Sequence, residues 1–261
     1  MEADVSEKIL FEVADNGVAT LTLNRPERFN AFNLEMVNRW ADLLESARKD
    51  DRIKVVVVTG AGKAFCAGGD MDELESFLTM DAAGKKSFLW DNVHRIPLAL
   101  QRLDRPVIAA LNGTARGAGL DMALMCDLRV AERSTIFAES YISMGVMAGD
   151  GGCYFLPRLV GVSKALELLW TGETITATEA ERIGMVSRVV DDGQALAAAL
   201  ALADKIAKQP PAAIQFIKRA TYQSMTMSLE AHLDQISSHM AVLEDMPAFR
   251  ERVSAFKQRR K

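Results

Sequence analysis

The chain has 261 residues, of which 49% are hydrophobic and 25% charged, and its formal net charge is −4 at pH 7. This is the composition of a globular protein with enough residues to bury a sizeable core. The sequence has no apolar run of membrane-spanning length, and its net negative charge gives no electrostatic reason to expect nucleic acid. We therefore expect neither a membrane nor a nucleic acid as a partner.

The start of the sequence and its cysteines give a prediction of location and of metal binding. Residues 1–7 are acidic and polar, without the basic start and apolar run of a secretory signal, which predicts a cytoplasmic protein. The three cysteines, Cys66, Cys126 and Cys153, are an odd number and lack the CxxC spacing of metal ligands. We therefore expect reduced cysteines, with neither a disulfide framework nor a metal site.

The first predicted elements are two strands and a helix. Ile9–Val13 and Val18–Leu23 flank Asp15-Asn16-Gly17, whose Asn-Gly pair tolerates positive φ, so they are predicted to form a β-hairpin. From Asn33 to Lys49 the apolar residues recur at helical spacing, and Asn33 is a suitable N-cap. This segment is predicted to be an amphipathic helix.

Two runs of small and β-branched apolar residues predict buried strands. They are Ile53–Thr59 and Val107–Leu111, and a turn containing glycine ends each of them. Apolar runs without alternation are typical of strands buried on both faces. Because helical segments separate the strands, we expect crossover connections and a mainly parallel sheet. Further short strands are predicted at Leu128–Val130 and Ile136–Phe137.

The remainder of the chain is predicted to be mostly helical. Apolar periodicity and terminator residues indicate helices over Ser163–Thr171, Thr176–Ile183, Gln194–Lys208, Ala212–Gln223 and Ser228–Leu243. Thr176-Ala177-Thr178-Glu179 fits a capping box at the start of the second of these helices. We predict a core of residues 1–195 that holds the functional site and a C-terminal helical region of residues 196–261.

Two loops rich in small residues follow the two buried strands. The first spans residues 63–70 and includes Gly68 and Gly69, and the second spans residues 112–121 and leads into a helix. Small residues let a backbone approach a ligand closely, and open α/β sheets bind ligands beyond the carboxyl ends of their strands. Neither loop is a dinucleotide or phosphate-binding fingerprint, and either alone could be a tight turn. The pair together predicts a ligand site.

Several short motifs occur in a fixed order along the chain: Leu23-Asn24-Arg25-Pro26, Asn30-Ala31-Phe32, Ala64–Asp70, Ala110–Gly113, Gly117–Gly119, Cys126-Asp127, Gly151-Gly152 and Leu156–Arg158. In order and spacing they resemble the crotonase superfamily, the enoyl-CoA hydratase/isomerase family. The resemblance implies an α/β fold, a spiral of β-β-α turns with a C-terminal helical region that mediates trimers. It also implies acyl-CoA substrates, no cofactor beyond the coenzyme A of the substrate, and a homotrimer or a dimer of trimers.

The resemblance also implies an oxyanion hole made of two backbone N–H groups, those of Gly69 and Ala118. The second position is usually glycine in the family, but Ala118 keeps the N–H group that matters. Preorganised donors of this kind stabilise a thioester enolate more strongly than the ground-state carbonyl.

Family hydratases hold the reacting water between two carboxylates. The first position corresponds to Asp121, one methylene shorter than the usual glutamate, and the second corresponds to Tyr141. Asp121 could instead complement the helix dipole, and Tyr141 could be core or donate a hydrogen bond to the acyl group. Asp150 is the substitute acid, with a helix N-cap as the alternative. Glu139 is a third candidate, interpreted as a surface charge at the end of a strand.

For coenzyme A, the resemblance implies that Arg25 contacts a phosphate, that the carbonyl of Ala67 contacts the adenine, and that Lys257 approaches a phosphate of a neighbouring subunit. Arg25 could instead be a solvated turn residue. Residues 257–261 form a short basic tail, which we interpret as solvated. His94 is interpreted as structural and stays outside the catalytic set.

These features predict an enzyme that stabilises the enolate of an acyl-CoA thioester. The first hypothesis is hydration of a trans-2-enoyl-CoA, with Asp121 and Asp150 as general acid and base. The alternatives are double-bond isomerisation, hydrolysis of a thioester or β-diketone, and acyl-CoA binding without catalysis. Isomerisation needs a single acid, so the missing second glutamate favours it.

Overall fold

The computed structural model describes residues 7–258, which form two β-sheets and the helices that cover them. The strands are β1 (Ile9–Val13), β2 (Val18–Leu23), β3 (Val55–Gly60), β4 (Ala64–Cys66), β5 (Val107–Leu111), β6 (Thr114–Arg116), β7 (Leu128–Glu132), β8 (Ile136–Ala138), β9 (Ile175–Thr176) and β10 (Arg188–Val190).

The helices are α1 (Leu34–Lys49), α2 (Met71–Ser76), α3 (Ala82–Phe88), α4 (Arg95–Arg102), α5 (Ala118–Leu124), α6 (Gly152–Val160), α7 (Val162–Thr171), α8 (Ala177–Arg182), α9 (Ala195–Ala207), α10 (Pro211–Gln223), α11 (Leu229–Asp245) and α12 (Pro247–Gln258). Short 3₁₀ turns lie at Pro26–Arg28 and Ser140–Met144, and a π turn at Leu89–Val93. Between residues 7 and 258, no helix is both long and apolar enough to cross a membrane.

The first sheet has six strands in the order β1-β2-β3-β5-β7-β10. β1 and β2 are antiparallel, with Ile9 opposite Leu23, and every other neighbouring pair in this sheet is parallel. The predicted hairpin and the predicted mainly parallel sheet are therefore confirmed. Gly17 adopts φ 86° in the hairpin turn, as the Asn-Gly pair predicts.

The second sheet has four short strands in the order β4-β6-β8-β9. Each repeat places a long strand in the first sheet and a short strand in the second, and then enters a helix, as in β5, β6 and α5. This arrangement confirms the predicted α/β fold of β-β-α turns. β8 matches the strand predicted at Ile136–Phe137, and β7 of the first sheet matches the one predicted at Leu128–Val130. The other strands of the second sheet, β4, β6 and β9, are two or three residues long and show no periodicity from which sequence reasoning could predict them.

The main core fills the space between the sheets and α1. Asn33 caps α1, since its Oδ1 accepts a hydrogen bond of 3.1 Å from the backbone N–H of Met36, as predicted. The helix then buries Met36 and Trp40 against the strands, together with Phe65 and Phe137 of the second sheet. Burial of each such side chain stabilises the fold by roughly 1.5–3 kcal/mol.

α9 covers the opposite face of the first sheet. Four alanines at four-residue spacing pack on Val55 and Val57 of β3 and on Ile108, and their small side chains allow a close approach: Ala195, Ala199, Ala203 and Ala207. In α10–α12, by contrast, Ala220 is the one described residue that is buried. The division into residues 1–195 and 196–261 stays a prediction; it falls at the start of α9, a helix that packs on the core.

Asp127 fastens α10 to the core. Its carboxylate accepts hydrogen bonds from the backbone N–H of Val107 (2.7 Å), from Nζ of Lys218 (2.7 Å) and from the hydroxyl of Tyr222 (2.8 Å). Its place in the Cys126-Asp127 motif is therefore explained by packing and charge rather than by chemistry.

The capping box predicted at Thr176 is only half formed. Oγ1 of Thr176 accepts a hydrogen bond of 3.3 Å from the N–H of Glu179, which begins α8. The carboxylate of Glu179 pairs with Arg182 instead of returning to the Thr176 N–H. The helix still begins at the predicted residue because the N-cap alone fixes its start.

Candidate active site

Three predicted site residues meet in a cluster, although they come from different parts of the chain. Asp121 lies on α5, Tyr141 lies in the 3₁₀ turn after β8, and Asp150 precedes α6. Oη of Tyr141 is 2.8 Å from Oδ2 of Asp121 and 2.8 Å from Oδ2 of Asp150. The backbone N–H of Asp150 also donates to Oδ2 of Asp121, at 3.2 Å. The structure thus brings together both candidate acids and the tyrosine.

The hydroxyl of Tyr141 carries one proton, yet it has two carboxyl oxygens at hydrogen-bonding distance. An ionised carboxylate only accepts, so the second contact needs a proton on one of the two aspartates. Asp121 has an exposed fraction of 0% and Asp150 of 6%. Deeper burial penalises a charge more, so we assign the proton to Asp121 and the negative charge to Asp150.

The physical environment shifts the pKa of both acids in the same direction. Burial, followed by the charge of Asp150, raises the pKa of Asp121, against hydrogen bonds from Tyr141 and from the backbone. Burial also raises the pKa of Asp150, but the hydrogen bond from Tyr141 and the nearby His94 oppose the rise. Burial raises the pKa of Tyr141 well above its usual range, so its hydroxyl stays protonated.

Two interpretations from the sequence were wrong. Glu139 is not a surface charge, because only 2% of it is exposed and it turns inward at the end of β8. Asp150 is not a helix N-cap, because Gly151 occupies that position and no side chain caps α6. The alternation of β8 could have indicated this burial, since Glu139 lies two residues after the buried Phe137 and therefore on the same face of an extended chain.

His94 contacts the segment that carries Asp150. Its Nε2 is 2.9 Å from the carbonyl oxygen of Gly149, which can only accept, so this nitrogen carries a proton. The ring also packs edge-to-face on Trp90, with centroids 5.9 Å apart. His94 therefore positions the loop before Asp150, which agrees with the structural interpretation from the sequence.

The two N–H groups predicted for the oxyanion hole are both free of acceptors. Neither the Gly69 N–H nor the Ala118 N–H donates a hydrogen bond to any residue in the range 7–258. The loops that carry them are in contact, because a Cβ placed on Gly68 would lie 3.6 Å from the nitrogen of Ala118. Two unpaired N–H groups side by side can stabilise an anionic oxygen. Their role in binding a thioester stays a prediction.

Glycines permit this approach of the two loops. Gly117 has φ 48°, a left-handed conformation that favours glycine, and it turns the chain into α5 immediately before Ala118. A Cβ on Gly119 would lie 2.2 Å from the backbone oxygen of Cys66, closer than any real contact. Ala118 itself tolerates its Cβ because it lies in the first turn of α5 with helical backbone.

Arg25 holds the first loop in place. Its guanidinium pairs with Asp70 and donates a hydrogen bond of 3.1 Å to the carbonyl of Ala31, and 13% of its side chain is exposed. Asp70 in turn caps α2 by accepting from the N–H of Asp72. Burial opposes ionisation of Asp70, but that N–H and Arg25 lower its pKa. Arg25 is therefore not a solvated turn residue, and its contact with a phosphate stays a prediction.

The other residues predicted to contact coenzyme A lie apart from the acid cluster. Ala67 is exposed within the first loop, two residues before Gly69, and its carbonyl accepts no hydrogen bond from the described residues. Lys257 is exposed near the end of α12. Residues 259–261 of the predicted basic tail lie outside the described residues. Both contacts with coenzyme A stay predictions.

The cysteines and acids do not form a metal centre in the part of the chain described. No group of three or more His, Cys, Asp or Glu side chains within residues 7–258 could hold a metal ion. Cys66 and Cys126 are buried and Cys153 is exposed, and none of the three is in a disulfide. Burial raises the pKa of Cys66 to about 12 and of Cys126 to about 12, so both are protonated packing residues.

Comparisons with known proteins agree over almost the whole chain. A family model described as enoyl-CoA hydratase/isomerase matches residues 13–261. The 1,2-epoxyphenylacetyl-CoA isomerase of Escherichia coli (strain K12) is 38% identical over 250 residues, which are 94% of this chain and 94% of that protein. The 2,3-dehydroadipyl-CoA hydratase of the same strain is 38% identical over 244 residues, 93% of each chain.

A solved structure gives the same result for the fold. The enoyl-CoA hydratase of Mycobacterium smegmatis aligns with a TM-score of 0.90 at 34% sequence identity, covering 97% of both chains. The family match, the identity over nearly full length and the shared fold together confirm the resemblance in the motifs. The chain belongs to the enoyl-CoA hydratase/isomerase family.

Proposed function

We propose that this enzyme moves a carbon–carbon double bond in an enoyl-CoA thioester, with Asp150 as the proton carrier. One observation carries the proposal: the hydroxyl of Tyr141 lies 2.8 Å from both Asp121 and Asp150, the position that a water shared by two carboxylates would take. Oδ1 of Asp150 makes no hydrogen bond to a described residue, and 6% of the residue is exposed whereas Asp121 is fully buried. Asp150 is thus the acid that can reach a substrate, and isomerisation needs one such acid.

The reaction proceeds through an enolate. With a 3-enoyl-CoA, the carboxylate of Asp150 takes a proton from C2, and the electron pair moves into the thioester carbonyl. The N–H groups of Gly69 and Ala118 donate to the resulting oxyanion. Asp150 then returns the proton to C4, the electrons of the oxyanion restore the carbonyl, and the double bond lies between C2 and C3.

Coenzyme A is the part of the substrate that the remaining predicted residues contact. Arg25 and Lys257 supply positive charge for its phosphates, and the carbonyl of Ala67 faces its adenine. The segment after residues 63–70 exposes Met71 (58%) and Trp90 (60%), side chains that would suit an apolar acyl chain or ring. The relatives named as an isomerase and a hydratase both act on CoA thioesters by their names.

Hydration is the second candidate function, and a specific observation favours it. Asp121 and Asp150 are separated by a single hydroxyl group, so a side-chain movement of Tyr141 would let a water take its place. The 38% identical relative named as a hydratase supports the same candidate. In this reaction both aspartates contact the water, whereas isomerisation uses Asp121 only as a hydrogen-bond donor to Tyr141.

Substitution of Asp121 distinguishes isomerisation from hydration. In isomerisation, Asp121→Asn keeps a neutral donor toward Tyr141 and is expected to retain at least about a tenth of the activity, since a neutral hydrogen bond contributes roughly 0.5–1.5 kcal/mol. Asp121→Ala removes the donor and serves as the matched comparison. Mass spectrometry of crotonyl-CoA and a 3-enoyl-CoA in deuterated water reports isomer interconversion, carbon-bound exchange and water addition together. If the wild type adds water to crotonyl-CoA and neither Asp121→Asn nor Asp150→Asn does so, the isomerase proposal is overturned and the enzyme is a hydratase.

We also propose that the protein is a homotrimer or a dimer of trimers. The described residues from the start of α10 to the end of α12 expose a series of large apolar side chains, of which Met225 lies in the turn after α10: Ile217, Met225, Leu229, Leu233, Met240, Val242 and Phe249. Exposed apolar surface of this extent favours burial against another subunit. Analytical ultracentrifugation is expected to give three or six times the monomer mass of 28.6 kDa. Leu233→Glu is expected to shift the distribution toward smaller species, and a wild-type monomer would contradict the proposal.

A further inference from the structure

Glu139 is a buried acid next to the proposed catalytic cluster, and no hydrogen-bond donor serves it. Only 2% of the residue is exposed, and both of its carboxyl oxygens lack a partner among the described residues. It faces Asp121 across the start of α6: a Cβ on Gly152 would lie 3.0 Å from Oε1 of Glu139 and 2.3 Å from Oδ1 of Asp121. Oδ1 of Asp121 is likewise buried without a hydrogen bond of normal geometry.

Two neighbouring carboxyl groups that are both ionised cannot bond to each other, because each only accepts. A proton on Glu139 removes this difficulty, since its O–H can donate to Oδ1 of Asp121. Burial, followed by the charge of Asp121, a hydrogen bond to it and the charge of Asp150, raises the pKa of Glu139 well above its usual range. An unpartnered buried carboxylate would otherwise cost several kcal/mol of stability.

With this proton in place, the O–H donors of the cluster point in one direction. Glu139 donates to Oδ1 of Asp121, Oδ2 of Asp121 donates to Oη of Tyr141, and Tyr141 donates to Oδ2 of Asp150. Each hydrogen bond in such a chain polarises the next one. The single negative charge of the cluster then lies on Asp150, whose Oδ2 accepts from Tyr141 and whose Oδ1 makes no hydrogen bond to a described residue.

We propose that Glu139 is a protonated positioning residue, which acts through Asp121 and Tyr141 to keep Asp150 ionised as the base. The inference rests on the proposed function, because it assigns Asp150 the role of proton carrier. Glu139 itself touches no reacting atom. Loss of its donor weakens the chain, so the proton affinity of Asp150 rises and a larger fraction of the enzyme is inactive at low pH.

The titratable groups that face Glu139 come from every element packed against it. They are Asp121 on α5, Asp150 before α6 and Cys153 on α6, and Tyr141 in the 3₁₀ turn contacts the first two of these groups. The pKa of Glu139 is higher in the folded protein than in the unfolded chain, where it is about 4.3. The stabilisation that its proton gives is therefore complete below about pH 4.3 and is lost as the pH rises through the pKa of the folded protein. Glu139→Gln removes this pH dependence of stability. The thermal unfolding midpoint of the variant is therefore expected to fall less than that of the wild type between neutral and alkaline pH.

The first test compares two substitutions of similar size in kcat/KM profiles against pH. Glu139→Gln keeps an N–H donor and is expected to stay within about threefold of the wild type, with the acid limb unmoved. Glu139→Leu has no donor and is expected to move the acid limb upward by about 0.5–1 pH unit, a three- to tenfold loss on the acid side. Glu139→Met is the replacement if Glu139→Leu does not fold. The proposal would be overturned if the pH profile of kcat/KM for Glu139→Leu or Glu139→Met coincided with that for Glu139→Gln.

The second test needs no turnover. The infrared difference spectrum of wild type minus Glu139→Gln at neutral pH is expected to show the carbonyl stretch of a protonated carboxyl group, and ionised carboxylate bands in its place would overturn the proposal. This measurement also tests the protonation of Glu139 independently of the proposed isomerase function. A wild type that isomerises no enoyl-CoA but shows the protonated band would contradict the proposed function while supporting the assignment of the proton to Glu139.

Discussion

Asp150→Asn is expected to lower kcat for isomerisation by about 10³-fold, within the 10²–10⁴-fold range of general acid–base catalysis. The amide is nearly isosteric with the carboxylate and can still contact Tyr141, so the fold is retained. It has no basic oxygen that could take a proton from C2 of the substrate, whereas Asp150 has the largest exposed fraction of the three acids of the cluster (6%) and its Oδ1 makes no hydrogen bond to a described residue. Steady-state kinetics with a 3-enoyl-CoA measures the loss.

Two controls show whether the loss of kcat in Asp150→Asn is a loss of catalysis: substrate affinity and a matched variant at the surface. Acyl-CoA affinity, measured by calorimetry, is expected to change by less than about threefold, because Asp150 contributes to the transition state rather than to ground-state binding. Asp191→Asn replaces an exposed acid with a weak surface contact to Arg133, and kcat is expected to stay at the wild-type value. If Asp150→Asn keeps more than a tenth of kcat, another group carries the proton.

Much of the fold could be predicted from local patterns, because long elements carry strong signals. The Asn-Gly turn predicted the hairpin, the N-cap at Asn33 predicted the start of α1, and the apolar runs predicted β3 and β5. Residues 71–98 were not predicted. They form α2, α3, a π turn and the first part of α4. In α2, α3 and the π turn only Val93 is buried, so no apolar period marks them. α4 does bury Ile96, Ala99 and Leu100 at helical spacing, and that signal was missed. Segments stabilised by a substrate or a neighbouring subunit need not show the pattern of a packed helix.

The candidate site shows a different limit of sequence reasoning. Asp121, Tyr141 and Asp150 were candidates by position, but the hydroxyl bridge between them depends on the turn after β8, which no local pattern gives. Glu139 was interpreted as a surface charge because glutamate is rarely buried without a partner. Its burial follows from the packing of α6 against α5, a contact between segments distant in sequence. The sharing of protons among Asp121, Tyr141, Asp150 and Glu139 therefore depends on tertiary packing and not on any local sequence pattern.

Ala118→Pro is expected to lower kcat/KM by about 10²–10³-fold, since loss of one donor of an oxyanion hole costs roughly 2.7–4 kcal/mol of transition-state stabilisation. Ala118 is the first residue of α5, a position at which the N–H has no acceptor within the helix and proline is well tolerated. The substitution therefore removes the N–H with little cost to the helix. Thermal unfolding checks that the fold is retained, and kinetics with a 3-enoyl-CoA measures the loss.

A glycine at the same position provides the matched control. Ala118→Gly restores the residue usual in the family and keeps the N–H, so its activity is expected to stay within about threefold of the wild type. The proline ring could also crowd the thioester, and the affinity for a saturated acyl-CoA distinguishes the two causes. Crowding weakens ground-state binding as much as kcat/KM, whereas loss of a donor affects mainly the enolate. If Ala118→Pro retains more than a tenth of kcat/KM, the enolate is stabilised elsewhere, and the pairing of Gly69 with Ala118 fails even if Asp150 remains the base.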